Sequence, residues 1–177
     1  MMKLFTSTLV LLMLSLAPDD AFAAKGDVKV LKVKDEVMKP IIQLFDAMRE
    51  HDGEKLKAQF TQTAMLQRVG KDNQVTDASI AKFAASISQA KVYLDEQLFN
   101  VSFNISGNLA SVWTPFAFYI DGKLSHCGVN SFQLVKRNIK GDNKENSRNE
   151  SDWKIHYLVD NAYTGDCQGF IARHKSE

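Results

Sequence analysis

Apolar residues recur at helical spacing from Val37 onward: Val37, Ile41, Phe45 and Met48, with Ile42 and Leu44 widening the stripe. The spacing predicts a helix beginning near Asp35, with Pro40 close to its start, where a missing N–H costs little. His51-Asp52-Gly53 ends that helix, and Glu54 to Phe60 read as a short second one. Residues 24–34 alternate loosely through Val28, Val30 and Val33 and read as an extended lead-in. Ala64 to Val69 reads as a short strand, and Gly70 to Asn73 as a turn. Asp77 reads as the cap of a third helix, whose face carries Ile80, Phe83, Ala84 and Ile87.

The period then changes from helical to alternating. Val92 to Ser106 reads as one strand, with Val101, Phe103 and Ile105 on one face, broken by Gly107-Asn108. Leu109 to Ile120 (LASVWTPFAFYI) is aromatic and β-branched, and Asp121-Gly122 is a tight hairpin signal. Leu124 to Arg137 and Trp153 to Ala162 are the last two strands, separated by a polar, charged loop from Asn138 to Asp152. Helices first and long strands afterwards predict an α+β fold, with the helices on one face of a curved antiparallel sheet. No repeat or internal linker divides residues 35–177, so they read as a single domain.

The N-terminus adds a compartment. Lys3, the apolar run Leu4 to Ala17 and the A-x-A site Ala21-Phe22-Ala23 read as a bacterial signal peptide over residues 1–23. The run is too short for a bilayer span, so no membrane association is expected after cleavage. The expected location is periplasmic or secreted. The chain has 177 residues and a formal net charge of +1, and losing the leader removes Lys3 together with Asp19 and Asp20. A nearly neutral chain gives no electrostatic case for nucleic acid. Export would place the two cysteines, Cys127 and Cys167, in an oxidising compartment where a disulfide is permitted. They lack metal-ligand spacing, so no metal and no cofactor are expected.

Three features carry a family resemblance. They are the opening IIQLFDAMREHDGEKLKAQF with the short strand after it, the run WTPFAFYIDGKLSHCGVNSFQLVK, and DWKIHYLVDNAY with Trp153-Lys154-Ile155 and Asp160. Over Val37 to Cys167 the chain resembles the nuclear transport factor 2-like superfamily, in its SnoaL-like, ketosteroid-isomerase-like branch. The resemblance implies a cone in which helices close over a strongly bent sheet, leaving a pocket at the open end. It also implies a homodimer through the convex sheet face. Such folds host isomerases, dehydratases, cyclases and binders, so the fold does not choose a function.

Strand alternation separates the candidate residues. His126 and Cys127 are neighbours and point to opposite faces, which argues against a thiolate–imidazole pair. Leu124, His126, Gly128, Asn130, Phe132 and Leu134 share one face. Pairing them with the apolar set Trp153, Ile155, Tyr157 and Val159 puts Leu134 near Ile155 and Phe132 near Tyr157. His126 and Asn130 then line the inside, as placed polar groups on an apolar wall. A regular ladder sets Asp160 on the opposite face, opposite Val129. A single β-bulge would bring it beside His126. Trp113 and Tyr119 are further pocket candidates, and Cys127 falls opposite Ala162, within a chain reversal of Cys167.

The expected ligand is a small apolar or carbonyl-containing molecule, contacted by Trp113, Tyr119, His126, Asn130 and Tyr157. An enzyme of isomerase, dehydratase or cyclase type is the alternative. His126 would be its general base, oriented by Asp160. An interaction domain using the sheet face is a third reading.

Overall fold

The computed structural model describes residues 20–138 and 151–175. Nearly all of the leader and of the polar loop lie outside the described residues. No helix among the described residues is long and apolar enough to cross a membrane.

Helix α1 runs Asp20–Arg49, so residues 24–34 are helical and not an extended lead-in. Val30, Val33 and Val37 fall three and four residues apart, a helical spacing that the loose alternation of Val28 and Val30 masks. Pro40 therefore sits in the helix interior, not near its start. A proline there costs about 3 kcal/mol. Val37, Ile41, Leu44 and Met48 are all at most 4% exposed. Each contributes about 1.5–3 kcal/mol by burial, more than offsetting the proline. His51 ends α1 in the left-handed region, at φ 56°. Asp52 then caps α2 (Gly53–Lys57), its Oδ1 accepting from the Lys55 N–H at 2.8 Å.

The chain continues through β1 (Phe60–Val69), β2 (Val75–Ala78), α3 (Ile80–Gln89), β3 (Leu94–Leu98), β4 (Ser102–Ser106), β5 (Leu109–Ile120), β6 (Lys123–Asn138), β7 (Ser151–Ala162) and α4 (Cys167–Lys175). Strand β2 and helix α4 were not foreseen. Asp77 lies in β2, where its carboxylate accepts from Gln67 Nε2, and Ser79 caps α3 instead. The expected strand from Val92 to Ser106 is two strands. Asn100, at φ 38°, breaks it, and β3 and β4 pair with successive halves of β5. Pro115, which has no N–H to give, lies at that junction and accepts from Phe99 N at 2.8 Å. The β5–β6 hairpin turns on Asp121 (φ 48°) and Gly122 (φ 74°), two consecutive positive φ values as a type I′ turn requires.

The seven-stranded sheet is ordered β2-β1-β7-β6-β5-β3, with β4 also on β5. Neighbours run antiparallel except β1 and β7, which are parallel. That pair departs from the wholly antiparallel sheet expected, because β1 returns from the helices and not from a hairpin. Helices α1, α2 and α3 cover the inner face, packing Ile41, Leu44, Leu56 and Ile87 with Val112, Phe132, Leu134 and Ile155. Helix α4 covers part of the outer face, where Ile171 joins Phe99 and Ala117. Cys127 of β6 and Cys167 of α4 form a disulfide with a Cα–Cα separation of 5.7 Å, holding α4 there.

Two bulges set which residues face inward. In β7, Ile155 pairs with Leu134 but Tyr157 pairs with Gln133, so His156 is an extra residue and the alternation reverses. Trp153, Ile155, Leu158 and Asp160 face the helices, each no more than 9% exposed. Phe132 therefore pairs with Leu158 and not with Tyr157, and Asp160 lies opposite Asn130 and not Val129. In β6, the shift between Phe118 and Tyr119 leaves Ser125 without a partner. Leu124 thereby leaves the face of His126 and packs with the outer cluster. Gly128, not Cys127, pairs with Ala162.

Candidate functional site

A cavity of about 360 Å³ opens between the helices and the inner face. Leu44, Phe45 and Met48 of α1, Leu56 of α2 and Phe83 and Ile87 of α3 form one apolar wall. Leu66, Phe118 and Leu158 close the sheet side. The polar groups gather along one side: Arg68 from β1, Glu96 from β3, His126 and Asn130 from β6, and Asp160 from β7. Register explains the grouping. Arg68 pairs with Asp160, Asp160 with Asn130 and Asn130 with Thr114, while His126 pairs with Phe118 and Phe118 with Glu96, so two neighbouring rows on the inward face supply the group.

Two hydrogen-bonded pairs organise this side. The Arg68 guanidinium donates to Asp160 through Nε at 2.7 Å and Nη2 at 2.6 Å, a bidentate fork on a carboxylate that is almost buried. Asn130 Nδ2 donates to Glu96 Oε1 at 2.6 Å. Burial pushes the Glu96 carboxyl up to about 8, helped by the nearby Asp160 charge and opposed by the Asn130 hydrogen bond and by Arg68. The surface that Glu96 retains faces this cavity and a shallower groove beside Arg49. With Oε1 occupied by Asn130, the acid proton belongs on Oε2.

His126 stands at the edge of the cavity against the rings of Phe116 and Phe118, at centroid separations of 5.7 and 5.0 Å. Burial, then the Arg68 charge, holds its imidazole below the ordinary value, with Asp160 pulling the other way. Its Nδ1 lies 3.2 Å from Ser125 Oγ. Near neutral pH the site thus offers a neutral imidazole and a neutral carboxyl beside an internally compensated ion pair. Among the described residues no group of histidine, cysteine, aspartate or glutamate could hold a metal ion.

His126, Asn130 and Asp160 are brought together. Asp160 is engaged by Arg68, so its described hydrogen bonds hold the arginine and not the histidine. Trp113, Tyr119 and Tyr157 are not in the cavity. Trp113 faces outward and is 54% exposed. Tyr119 packs with the α4 cluster, and Tyr157 donates to Gln67 Oε1 at 2.6 Å on the outer side of the bulge. The inward face of β5 is the other one, carrying Val112, Thr114, Phe116 and Phe118. Glu96 and Arg68 were missed, although alternation marks both. Leu94, Glu96 and Leu98 share a face, as do Leu66 and Arg68, with Leu94 and Leu66 buried.

A larger open groove of about 550 Å³ runs between the irregular part of β1 and the start of α3. Among the described residues lining it, only Lys57 and Asp77 are charged, and they form no comparable cluster.

No protein-family model matches the sequence, and no curated protein matches it. Solved structures do match. A nuclear transport factor 2-like protein with a cystatin-like fold from Novosphingobium aromaticivorans superposes with a TM-score of 0.55 at 12% identity, over 89% of this chain and 97% of its own. A protein of the same organism provisionally assigned as a scytalone dehydratase gives 0.58 at 10% identity, over 78% and 89%. A nuclear transport factor 2-like protein of unknown function from Shewanella baltica gives 0.53 at 12% identity, over 76% and 97%. These identities speak for architecture alone. The chain has the nuclear transport factor 2-like fold.

Proposed function

We propose that the protein binds a small molecule in the cavity between its helices and its sheet. The carrying observation is the division of that cavity into apolar walls and one polar side, where Glu96, His126 and Asn130 converge. The apolar body of the ligand would lie against Phe45, Met48 and Leu158, with an oxygen turned toward Glu96 and Asn130. Export fits this reading. The Cys127–Cys167 disulfide suits an oxidising compartment, and the N-terminal sequence has the form of a signal peptide. Native mass spectrometry of protein taken from its own compartment tests the reading. Added mass on the folded species that is lost on denaturation supports it. A bare protein that takes up no small molecule from a chemically diverse set refutes it.

One observation favours catalysis as a second reading. A carboxyl that keeps its proton to about pH 8 and a neutral imidazole share the cavity. Such a pair can serve as general acid and general base in an isomerase- or dehydratase-type reaction. His126→Ala separates the two readings: an enzyme loses turnover while retaining its ligand, whereas a pure binder loses affinity.

A further inference from the structure

We infer that the ligand is an uncharged molecule of about a dozen non-hydrogen atoms, one ring or a short chain carrying an acceptor oxygen, and that a charged or polycyclic molecule is excluded. The inference rests on the binding function proposed above and specifies its ligand.

The size follows from the volume. An apolar cavity of about 150 Å³ takes a six-carbon ring, so one of about 360 Å³ takes about a dozen non-hydrogen atoms or slightly more. The side chains that set this limit are not free to withdraw. Leu44, Leu56, Leu158 and Ile87 are at most 5% exposed and belong to the main core, so enlarging the cavity means unpacking it.

The charge follows from the lining. Among the described lining residues Arg68 is the one permanent cation; its side chain is largely exposed and two of its nitrogens are held by Asp160. The described residues of α1, α2 and α3 that line the cavity carry no charge. Arg49 of α1 is turned to Asp46 and Asp95. Lys71, whose charge reaches His126, is exposed on the β1–β2 turn. The groups facing Glu96 are Asn130 of β6, Asp160 of β7, Arg68 of β1 and its neighbour Asp95. An anionic ligand would meet Asp160 without an unshared cation to compensate it. A cationic ligand would meet Arg68 and a carboxyl that has kept its proton. Either would be desolvated without a counter-charge, which is costly. A neutral acceptor oxygen finds a donor on the unoccupied oxygen of Glu96.

The lining also fixes a pH window. Below the range where His126 takes a proton the cavity turns positive, and above about 8 Glu96 loses its proton and the donor with it. Uncharged acceptors should bind best between these limits.

The test is isothermal titration calorimetry with three probes of one shape and different charge: 4-phenylbutan-2-one, 4-phenylbutanoate and 4-phenylbutylamine. A four-ring steroid ketone serves as the large probe. The ketone should bind most tightly at pH 7, and its affinity should fall about tenfold by pH 9, as one proton is lost one unit above its pKa. Glu96→Gln, whose amide cannot ionise, should remove that fall. Tighter binding of the carboxylate or the amine at pH 7 overturns the charge assignment and leaves the binding function standing. Binding of the steroid as tightly as the ketone overturns the size limit in the same way. If none of the four binds at any pH, the inference falls, while the binding function stands or falls separately on native mass spectrometry.

Discussion

Glu96→Gln should stabilise the protein at alkaline pH. In the unfolded chain the carboxyl ionises near its ordinary value of 4.5, and in the fold it keeps its proton to about 8. Between these values the unfolded state releases a proton that the folded state retains, so stability falls as pH rises through the interval. It is complete below about 4.5 and levels off above about 8. Each pH unit costs about 1.4 kcal/mol, so the whole interval amounts to roughly 5 kcal/mol. This is an upper figure, since part of Glu96 faces the cavity, where water can enter. Glutamine keeps the shape, can still accept from Asn130 Nδ2 at its carbonyl oxygen, and does not ionise. Urea denaturation of both proteins at pH 5, 7 and 9 is the assay. Near pH 5 the midpoints should almost coincide. At pH 9 the variant should be the more stable by about 2–5 kcal/mol, which at about 2–4 °C per kcal/mol is also visible in Tm. If the two proteins lose the same stability between pH 5 and pH 9, the burial argument is refuted.

Two further outcomes follow from the packing. Reducing Cys127–Cys167, or replacing both residues with alanine, should cost about 4 kcal/mol on the chain-entropy relation for a separation of 40 residues. Hydrogen exchange at Phe170 and Ile171 should accelerate first, because the bond holds α4 to the sheet. Gly128→Ala should destabilise by about 1–3 kcal/mol or more. A Cβ there would press on the Asn161 carbonyl oxygen and on Phe116 Cε1. Since Gly128 lies between His126 and Asn130 on the inward face, calorimetry should also show weakened ligand binding.

Much of the architecture is legible in the pattern of apolar positions. Strand β5 occupies the stretch that its aromatic and β-branched content marks, and the Asp121-Gly122 hairpin has the positive φ values its residues favour. What escaped has local causes. Strand β2 is four exposed residues, Val75–Ala78, with no apolar alternation to announce it. Helix α4 buries only Phe170 and Ile171 and depends on a bond that spacing alone does not specify.

The site shows the same limit more sharply. The alternation of β6, matched to the apolar face of β7, places His126 and Asn130 together on the inward face. In β7 an unbroken alternation sets Trp153, Ile155, Tyr157 and Val159 on one phase and Lys154, His156, Leu158 and Asp160 on the other, so the apolar phase predicts Asp160 outside. A bulge at His156 overrides that pattern, and the sequence carries no mark of the switch. That single inserted residue exchanges Tyr157 for Leu158 and admits Asp160 to the cavity. Glu96 and Arg68 are a different case. Their inward phase can be read from Leu94 and Leu66, but a charged residue at an inward position is ordinarily excluded on energetic grounds. Here Arg68 keeps most of its side chain exposed and reaches in to Asp160, while Glu96 is compensated by its retained proton and Asn130. Seen singly, β7 and β3 each set an acidic residue at an inward position. Their compensation comes from other strands, Arg68 of β1 for Asp160 and Asn130 of β6 for Glu96, so the polar side of the cavity is a property of the assembled sheet and not of any one segment.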